Sequence, residues 1–253
     1  MIEHGNYRIN PIRIIGNGTF GVVEEIELYN RVGTLCGNYA MKTLSISDSV
    51  DLIEFRKRFF REGQYQANFI HKNIVPIYLY NLQVDNPWFV MELGESDAYS
   101  KLIKGNLTLL DRIEIIDSLL NAISHIHKAG YIHRDIKLSN LISFGKSYKI
   151  SDFGLAKNTN PNDDSVLTRI GVQMGTQGYW APETEYGDYS PRSDIYSIGV
   201  LLNNLVRAEP ALGGKMVDLI NKCTSYMPAS RYESVEHIIS DFHEVKGKLQ
   251  CSV

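Results

Sequence analysis

The sequence has little cysteine and no long apolar run. Its three cysteines, Cys36, Cys223 and Cys251, lie far apart and form no Cys-x-x-Cys pair. A disulfide framework or a structural zinc site is therefore not expected, and a reducing compartment fits. No stretch approaches the roughly 18 apolar residues of a transmembrane helix, and residues 1–6 lack the basic and apolar regions of a signal peptide. We predict a cytoplasmic protein without a membrane segment; export by a signal-independent route is left open.

An excess of positive charge is also lacking. The chain has 26 Lys and Arg against 29 Asp and Glu, a formal net charge of −3. This balance offers no electrostatic basis for binding nucleic acid, so no such partner is predicted. With 253 residues, 43% of them hydrophobic, the chain is long enough for one large domain or for two lobes, each with a core.

The pattern of apolar residues changes near residues 92–95. Before that point it predicts strands around 13–23, 39–42, 74–80 and 88–93 and one helix over 50–70. After it, helical spacing dominates over 108–127, 193–205, 215–223 and 233–249, with Thr108 as the N-cap of the first of these helices. We therefore predict a β-rich part over 1–93 and a mainly helical part over 94–253.

The first motif is rich in glycine. Gly16, Gly18 and Gly21, with Val23 two residues later, form a Gly-x-Gly-x-x-Gly-x-Val pattern. Glycines allow backbone amides to approach phosphate oxygens. Because strand-like residues follow instead of a helix, the pattern does not indicate a dinucleotide-binding turn, and the Gly-Lys-Ser/Thr of a P-loop is absent. By itself the motif is weak, since similar turns occur in hairpins.

A second group of motifs is much more specific. Residues 133–140 read His-Arg-Asp-Ile-Lys-Leu-Ser-Asn, an Asp-Phe-Gly triplet stands at 152–154, and an Ala-Pro-Glu triplet stands at 181–183. A turn would explain one or two polar residues in the first segment but not five. The order and spacing of the three motifs make a chance match untenable.

Together these motifs resemble the signature of eukaryotic-type (Hanks-type) protein serine/threonine kinases. The resemblance extends over nearly the whole chain, from about residue 7 to 249, and includes Lys42, Glu62, Asp194 and Arg231. It implies an α+β, bilobal kinase fold, with a small β-rich N-lobe containing one main helix (1–93) and a larger, mainly helical C-lobe (94–253).

The resemblance also implies a binding site for ATP. Lys42 would hold the α- and β-phosphates and would itself be oriented by Glu62. The local sequence fits a surface lysine at 42 equally well, and at 62 it favours a solvated helix face. Met91 would guard the back of the adenine pocket, and the backbone of Glu92 and Leu93 would bind the edge of the base. The side chains expected to enclose the ring are Ile15, Val23, Ala40 and Ile142.

The chemistry is implied in the same way. Asp152 and Asn140 offer hard oxygen ligands, which suit Mg²⁺, with Mn²⁺ as an alternative. Asp135 would accept the proton of the substrate hydroxyl, and Lys137 would neutralise the transferring phosphoryl group. Lys137 and Thr176 resemble the residues of kinases that act on serine or threonine rather than tyrosine, so the implied partner is a protein substrate with such acceptors.

Further residues of the resemblance have structural roles. Glu183 and Arg231 are expected to form a buried ion pair, and Asp194 is expected to anchor the catalytic loop. Arg134 precedes Asp135 and would pair with a phosphate added to the activation segment, the stretch from Asp152 to Glu183. Autophosphorylation, with self-association of two copies, is therefore predicted at Thr168, with Ser165 and Thr159 as lesser candidates; an unmodified loop is the alternative.

The sequence departs from the family pattern at three places. Lys42 comes 21 positions after Gly21, and this long separation predicts an extended hairpin. Gln66 occupies a position that is often apolar, where it would either loosen the helix or point into solvent. The stretch from Asp194 to Arg231 spans only 37 residues, so that the helix usually found there is reduced to residues 207–214.

Two other functions are compatible with this fold. One is phosphoryl transfer to a small molecule, against which Thr176 and the Ala-Pro-Glu triplet argue, because they indicate a peptide-binding segment. The other is a pseudokinase that acts as a scaffold. Since every residue needed for the chemistry is present, the second alternative would need a conformational block.

Overall fold

The computed structural model describes residues 1–18, 21–45, 52–159, 175–207 and 209–250. These residues form two compact units. The first comprises residues 1–70 and 75–94, and the second comprises residues 71–74 and 95–253. Among the described residues, no helix combines the length and the hydropathy that are needed to cross a bilayer.

The first unit is built on one antiparallel sheet of six strands. In chain order the strands are β1 (Ile2–His4), β2 (Tyr7–Gly18), β3 (Gly21–Asn30), β4 (Leu35–Thr43), β5 (Ile77–Asn81) and β6 (Trp88–Glu92). Across the sheet they run β1-β2-β3-β4-β6-β5. The long pairing of β3 with β4 confirms the extended hairpin. The short β1, with His4 edge-on to Trp88 at 5.0 Å, was not predicted from the sequence.

Helix α1 (Leu52–Asn68) is the one long helix described in the first unit. Its Phe59 is fully buried and packs against Phe89 of β6 at 5.2 Å between ring centroids. Gly63 allows close packing, because a Cβ there would lie 3.2 Å from the methyl groups of Leu82. The sheet and α1 thus share one core. This packing fixes the orientation of α1, the helix that carries Glu62.

The second unit is mainly helical. Its helices are α2 (Ala98–Ile103), α3 (Leu109–Lys128), α4 (Pro191–Val206), α5 (Pro210–Cys223) and α6 (Val235–Gln250). Thr108 and Asp111 form the predicted capping box of α3. Helix α3 contributes the largest apolar face of the unit and packs against α4 and α6. The fold class predicted from the sequence, a β-rich part with one main helix and a larger helical part, is confirmed.

Helix α5 begins earlier than the sequence pattern indicated. It starts at Pro210 rather than at Lys215, since proline suits the first helical position. Gly213 and Gly214 obscured the periodicity, yet Gly213 allows a close approach: a Cβ there would lie 3.1 Å from the carbonyl oxygen of Val206. Most of the segment interpreted as a vestigial helix therefore belongs to α5 itself.

Short strands hold the loops of the second unit. Strand β7 (Tyr131–Ile132) pairs with β10 (Lys157–Asn158), and β8 (Leu141–Phe144) pairs with β9 (Ser147–Ile150). The motif at 133–140 lies between β7 and β8, and the motif at 152–154 follows β9. Both motifs are therefore held at each end by hydrogen-bonded strands.

Candidate active site

In the first unit, Lys42 and Glu62 form a buried ion pair. The Nζ of Lys42 lies 2.5 Å from Oε1 of Glu62, and the two residues are 8% and 2% exposed. Strand β4 holds Lys42, and the packing of α1 on the sheet holds Glu62. The solvated helix face considered for Glu62 and the surface position considered for Lys42 are both wrong, because tertiary packing covers this side of α1.

Gln66 lies on the same helix, one turn after Glu62. It is 1% exposed, and its Nε2 donates a hydrogen bond of 2.8 Å to the carbonyl oxygen of Val75. The solvated orientation considered from the sequence is therefore wrong. The contact fastens the end of α1 to the segment that precedes β5, so that this polar side chain ties α1 to its own unit.

The three glycines of the Gly-x-Gly-x-x-Gly motif have different structural surroundings. Gly21 begins β3, where a Cβ would lie 2.4 Å from the carbonyl oxygen of Thr43, a distance that no side chain tolerates. At Gly16 an added Cβ would make only ordinary contacts with Val23, at 3.7 Å. Gly18 ends β2. Glycine at 21 is thus required by the pairing of β3 with β4, whereas glycine at 16 is not required by packing.

In the first unit, the residues expected around adenine lie on β2, β3, β4 and β6 or directly after β6, and Ile142 lies on β8 of the second unit. Val23 pairs with Lys42 in the register of β3 and β4, and Ala40 pairs with Met91 in that of β4 and β6. Ala40 is 3% exposed, whereas Ile15 is 40% exposed. The backbone N–H of Glu92 donates to the carbonyl oxygen of Pro76 at 3.3 Å. A nucleotide would therefore have to compete with Pro76 for the N–H of Glu92. Leu93 directly follows the last residue of β6.

In the second unit, three polar side chains contact the carboxylate of Asp135. Lys137 Nζ lies 2.7 Å from Oδ2 of Asp135, and Asn140 Nδ2 donates to the same oxygen at 3.1 Å. The hydroxyl of Thr176 donates to Oδ1 at 3.1 Å and accepts from Lys137 Nζ at 2.9 Å. Thr176 therefore bridges Asp135 and Lys137. The carboxylate is held by charge-assisted bonds and is 8% exposed.

Asp194 fixes the backbone of this loop. Its carboxylate accepts hydrogen bonds from the N–H groups of His133 (2.8 Å) and Arg134 (2.9 Å), and His127 Nε2 lies 2.8 Å away. Burial alone would raise the pKa of Asp194, but the hydrogen bonds from His127 and His133 outweigh it and lower this pKa. The carboxylate thus stays charged and holds Arg134 at φ 68°, in the left-handed region.

Two residues that the sequence reasoning missed belong to this region. His127 pairs with Asp194, and the ring of Tyr189 lies under the guanidinium of Arg134, at 3.9 Å from its centroid. Their spacing offered a weak signal, since His127 comes six residues before His133 and Tyr189 five before Asp194. An aromatic ring at Arg134 had not been considered, because only charged partners were weighed.

The metal ligands suggested by the resemblance are Asn140 and Asp152. Asn140 donates through Nδ2 to Asp135. The side-chain atom of Asn140 that could bind a cation is therefore its Oδ1. Asp152 has φ 65° and accepts from the N–H of Gly154 at 3.4 Å. No cluster of three or more His, Cys, Asp or Glu among the described residues suits a metal. Two oxygen ligands fit Mg²⁺ that is bound largely through nucleotide phosphates.

The end of the activation segment is anchored in the second unit. Arg231, 4% exposed, forms a bidentate pair with Glu183 at 2.7 Å for each bond, and Ser193 donates to the same carboxylate at 2.9 Å. Burial would raise the pKa of Glu183, but Arg231 lowers it overall. Gly175, at φ 112°, could hold no side chain, since a Cβ would lie 2.8 Å from Trp180 Nε1. The close approach of Trp180 therefore requires glycine directly before Thr176.

The predicted phosphorylation sites are only partly described. Thr168 and Ser165 lie outside the described residues. Thr159 is exposed, and its hydroxyl donates to the carbonyl oxygen of Gly130 at 2.8 Å. A phosphate at Thr159 would have to break that bond, which makes this residue the least suitable of the three.

Comparison with known proteins agrees with this geometry. The sequence model of the protein kinase domain matches residues 9–243. Serine/threonine-protein kinase PknA of Mycobacterium tuberculosis (strain H37Rv) is 35% identical over 206 residues, which cover 78% of this chain and 46% of PknA. Serine/threonine-protein kinase PrkC of Bacillus subtilis is 29% identical, over 94% of this chain and 40% of PrkC.

A third relative is the probable serine/threonine-protein kinase SCO3848 of Streptomyces coelicolor, which is 32% identical over 83% of this chain and 31% of its own length. The chain thus spans less than half the length of each of these relatives. The match over residues 9–243 includes every residue of the two polar clusters around Glu62 and Asp135. The chain therefore belongs to the protein kinase family, on its serine/threonine branch.

Proposed function

We propose that this protein transfers the γ-phosphoryl group of ATP to serine and threonine hydroxyls of protein substrates. The observation that carries the proposal is the bridge from Thr176 to both Asp135 and Lys137. This bridge couples the segment that would receive a peptide to the base and to the cation of the reaction. It favours a short hydroxyl side chain as the acceptor.

In this proposal each polar residue has one role. Asp135 accepts the proton of the attacking hydroxyl, and Lys137 offsets the charge that spreads over the phosphoryl oxygens. Lys42, steadied by Glu62, binds the α- and β-phosphates. The side chains proposed to enclose adenine are those of Ile15, Val23, Ala40 and Ile142. Met91 is proposed to guard the back of the pocket, and the backbone of Glu92 and Leu93 to bind the edge of the base.

Asp152 and Asn140 are proposed to hold Mg²⁺, with Mn²⁺ as the alternative. When bound, the metal would neutralise phosphate charge and align the nucleotide. The oxygen-only ligand set supports this choice, because Mg²⁺ prefers carboxylate and amide oxygens. A cytoplasmic location, and the absence of a nucleic-acid partner, stay predictions from the sequence.

Self-phosphorylation is the second part of the proposal. Thr168, then Ser165 and Thr159, are the candidates, and two copies would have to meet for one to modify the other. Arg134 supports the idea, because its guanidinium lies beside the catalytic loop and could pair with a phosphate of about −1.5 to −2 charges. Intact-mass measurement after incubation with ATP, compared with Thr168→Ala and Asp135→Asn, tests it.

One assay separates the proposed function from its alternatives. Phosphate transfer from labelled ATP is measured to a generic protein, to a panel of small molecules and to the kinase itself, first with Mg²⁺ and then with Mn²⁺. We expect phosphoserine and phosphothreonine in the protein product, and a loss of about 10²–10⁴-fold in Asp135→Asn. Transfer to small molecules alone would indicate a small-molecule phosphotransferase, and no transfer at all would indicate a pseudokinase.

A further inference from the structure

Two histidines that have no role in the proposed chemistry meet where residues 71–74 contact helix α3. The imidazole rings of His71 and His125 stack, with 4.9 Å between their centroids and 21° between their planes. Both side chains are partly buried. Residues 71–74 and α3 belong to the second unit. The stacked rings therefore join two segments within one unit.

The backbone of residues 71–74 is arranged around His71. The N–H of Asn73 donates to Nδ1 of His71 at 3.2 Å, and the N–H of Ile74 donates to the carbonyl oxygen of His71 at 3.1 Å. Because Nδ1 accepts a hydrogen bond, the proton of the neutral ring lies on Nε2. A second proton can enter the ring only at Nδ1. There it would face the N–H of Asn73 and remove that hydrogen bond.

Asn73 connects residues 71–74 to α3 and to β9. It is 3% exposed, and its Nδ2 donates to Oγ of Ser118 in α3 and to the carbonyl oxygen of Tyr148 in β9, at 2.9 Å each. Its own carbonyl oxygen accepts from the N–H of Ile150 at 2.9 Å. Strand β9 ends at Ile150, two residues before Asp152. Loss of these bonds would therefore loosen the strand that leads to Asp152.

The surroundings of His71 oppose its protonation. Burial lowers the pKa of His71, and the charges of His125 and Lys72 lower it further. The folded protein therefore keeps this ring neutral near neutral pH. If residues 71–74 left α3, the ring would regain the ordinary pKa of about 6.5. Acid thus favours the state in which this contact is open.

The other titratable groups of the adjoining elements do not compensate for a charge on His71. In α3, residues 118–124 are uncharged. Asp117, His127 and Lys128, which flank this stretch, have partners in α4 and α6. In β9, Lys149 is a further cation, and burial raises the pKa of Tyr148 to about 12.

We propose that His71 and His125 form a pH-sensitive switch, in which a proton on His71 releases residues 71–74 from α3 and thereby loosens β9 and Asp152. Both histidines are positioning residues, because they act through Asn73. The effect on activity rests on the proposed function, in which Asp152 holds the metal. The switch operates at mildly acidic pH, above the range in which Asp194 and Glu183 are expected to lose their charges.

The first test needs no activity. Hydrogen exchange of the Ile150 amide is followed by NMR between pH 7.5 and 5.5, and each rate is converted to a protection factor, which removes the intrinsic effect of pH. We expect the wild-type protection factor to fall about threefold to tenfold as the pH decreases, since one bound proton allows at most about tenfold per pH unit.

Two variants identify the group that is responsible. His71→Asn keeps an acceptor for the N–H of Asn73 but cannot be protonated, so its protection factor should change less than about twofold over this range. His243→Asn is the matched control, because His243 is exposed on α6, and it should behave like the wild type. Equal pH dependence in His71→Asn and the wild type would overturn the proposal, as would a flat wild-type profile or an equally flat profile in His243→Asn.

A second measurement decides the question if circular dichroism shows that His71→Asn is unfolded. The Cε1–H resonances of the wild-type histidines are then titrated by NMR. We expect the midpoint of His71 to lie below that of the exposed His243. A midpoint at or above that of His243 would contradict the proposal.

Phosphotransfer by the same proteins separates the switch from the proposed function. We expect the kcat of the wild type to fall in parallel with the protection factor, and His71→Asn to lose less activity over the same range. The exchange effect in a protein without any phosphotransfer would support the switch and refute the proposed function. An active enzyme with equal pH profiles of kcat in the wild type and His71→Asn would contradict the link to Asp152.

Discussion

The Nζ of Lys42 and Oε1 of Glu62 lie 2.5 Å apart in an ion pair that is almost completely withdrawn from solvent. The resemblance implied such a pair, whereas the local sequence also fitted a solvated helix face for Glu62. Burial alters what a substitution does, because a buried charge that loses its partner is strongly destabilising. We therefore expect the pair to stabilise the first unit, in addition to the catalytic role that we propose for it.

Replacing Lys42 by Met should abolish phosphotransfer and should also lower the free energy of unfolding, by about 3 kcal/mol. The double variant Lys42→Met/Glu62→Leu should recover part of that stability, since no unpaired carboxylate is left, and should remain inactive. Urea denaturation measures the stability and labelled ATP measures the activity. A double variant less stable than Lys42→Met would contradict this account.

Substitutions of Thr176 test whether this residue positions Asp135 and Lys137. Thr176→Val keeps the volume but removes both hydrogen bonds to Asp135 and Lys137, so we expect kcat to fall at least about tenfold, the equivalent of one 1.4 kcal/mol interaction. Thr176→Ser keeps the hydroxyl and should retain most of the activity. Steady-state kinetics with a protein substrate provides the comparison, and equal rates for the Val and Ser variants would exclude the bridging role.

Two of the three glycines of the motif, Gly16 and Gly21, should respond differently to alanine. At Gly21 the added Cβ meets the backbone of Thr43 at 2.4 Å, and overpacking of this kind costs about 1–3 kcal/mol. At Gly16 the nearest contact is an ordinary 3.7 Å, so Gly16→Ala should keep the stability of the wild type. Thermal unfolding checks both variants. A loss of ATP affinity in a stable Gly16→Ala protein would then report on contact with phosphate.

Acid should destabilise the second unit through Asp194. Because the folded-state pKa of Asp194 lies below its ordinary value, its contribution to stability is complete at neutral pH and is lost as the pH falls through the folded-state pKa. The pKa of Glu183 is also lowered, so its contribution to stability is likewise lost in acid. We expect the free energy of unfolding to decrease below about pH 5, and Asp194→Asn to show a smaller decrease over that range. An unchanged pH dependence in Asp194→Asn would contradict the assignment.

Much of the fold and of the candidate site could be predicted because they depend on local sequence patterns. Thr108 and Asp111 mark the start of α3 through a capping box that involves only neighbouring residues. The motifs at 133–140 and 152–154 keep fixed spacings, and short strands hold their ends. Helix α5 was harder to delimit, because Gly213 and Gly214 weaken helical periodicity although close packing against Val206 requires a small residue.

The sequence by itself determined the family, the fold class and the set of polar residues available for phosphoryl transfer, because these depend on residue type, order and spacing. Only the tertiary structure decided the surroundings of those residues. The burial of Glu62 and Gln66, the approach of His127 to Asp194 and the ring of Tyr189 under Arg134 all result from contacts between distant segments. Such contacts arise from packing, which no local pattern encodes.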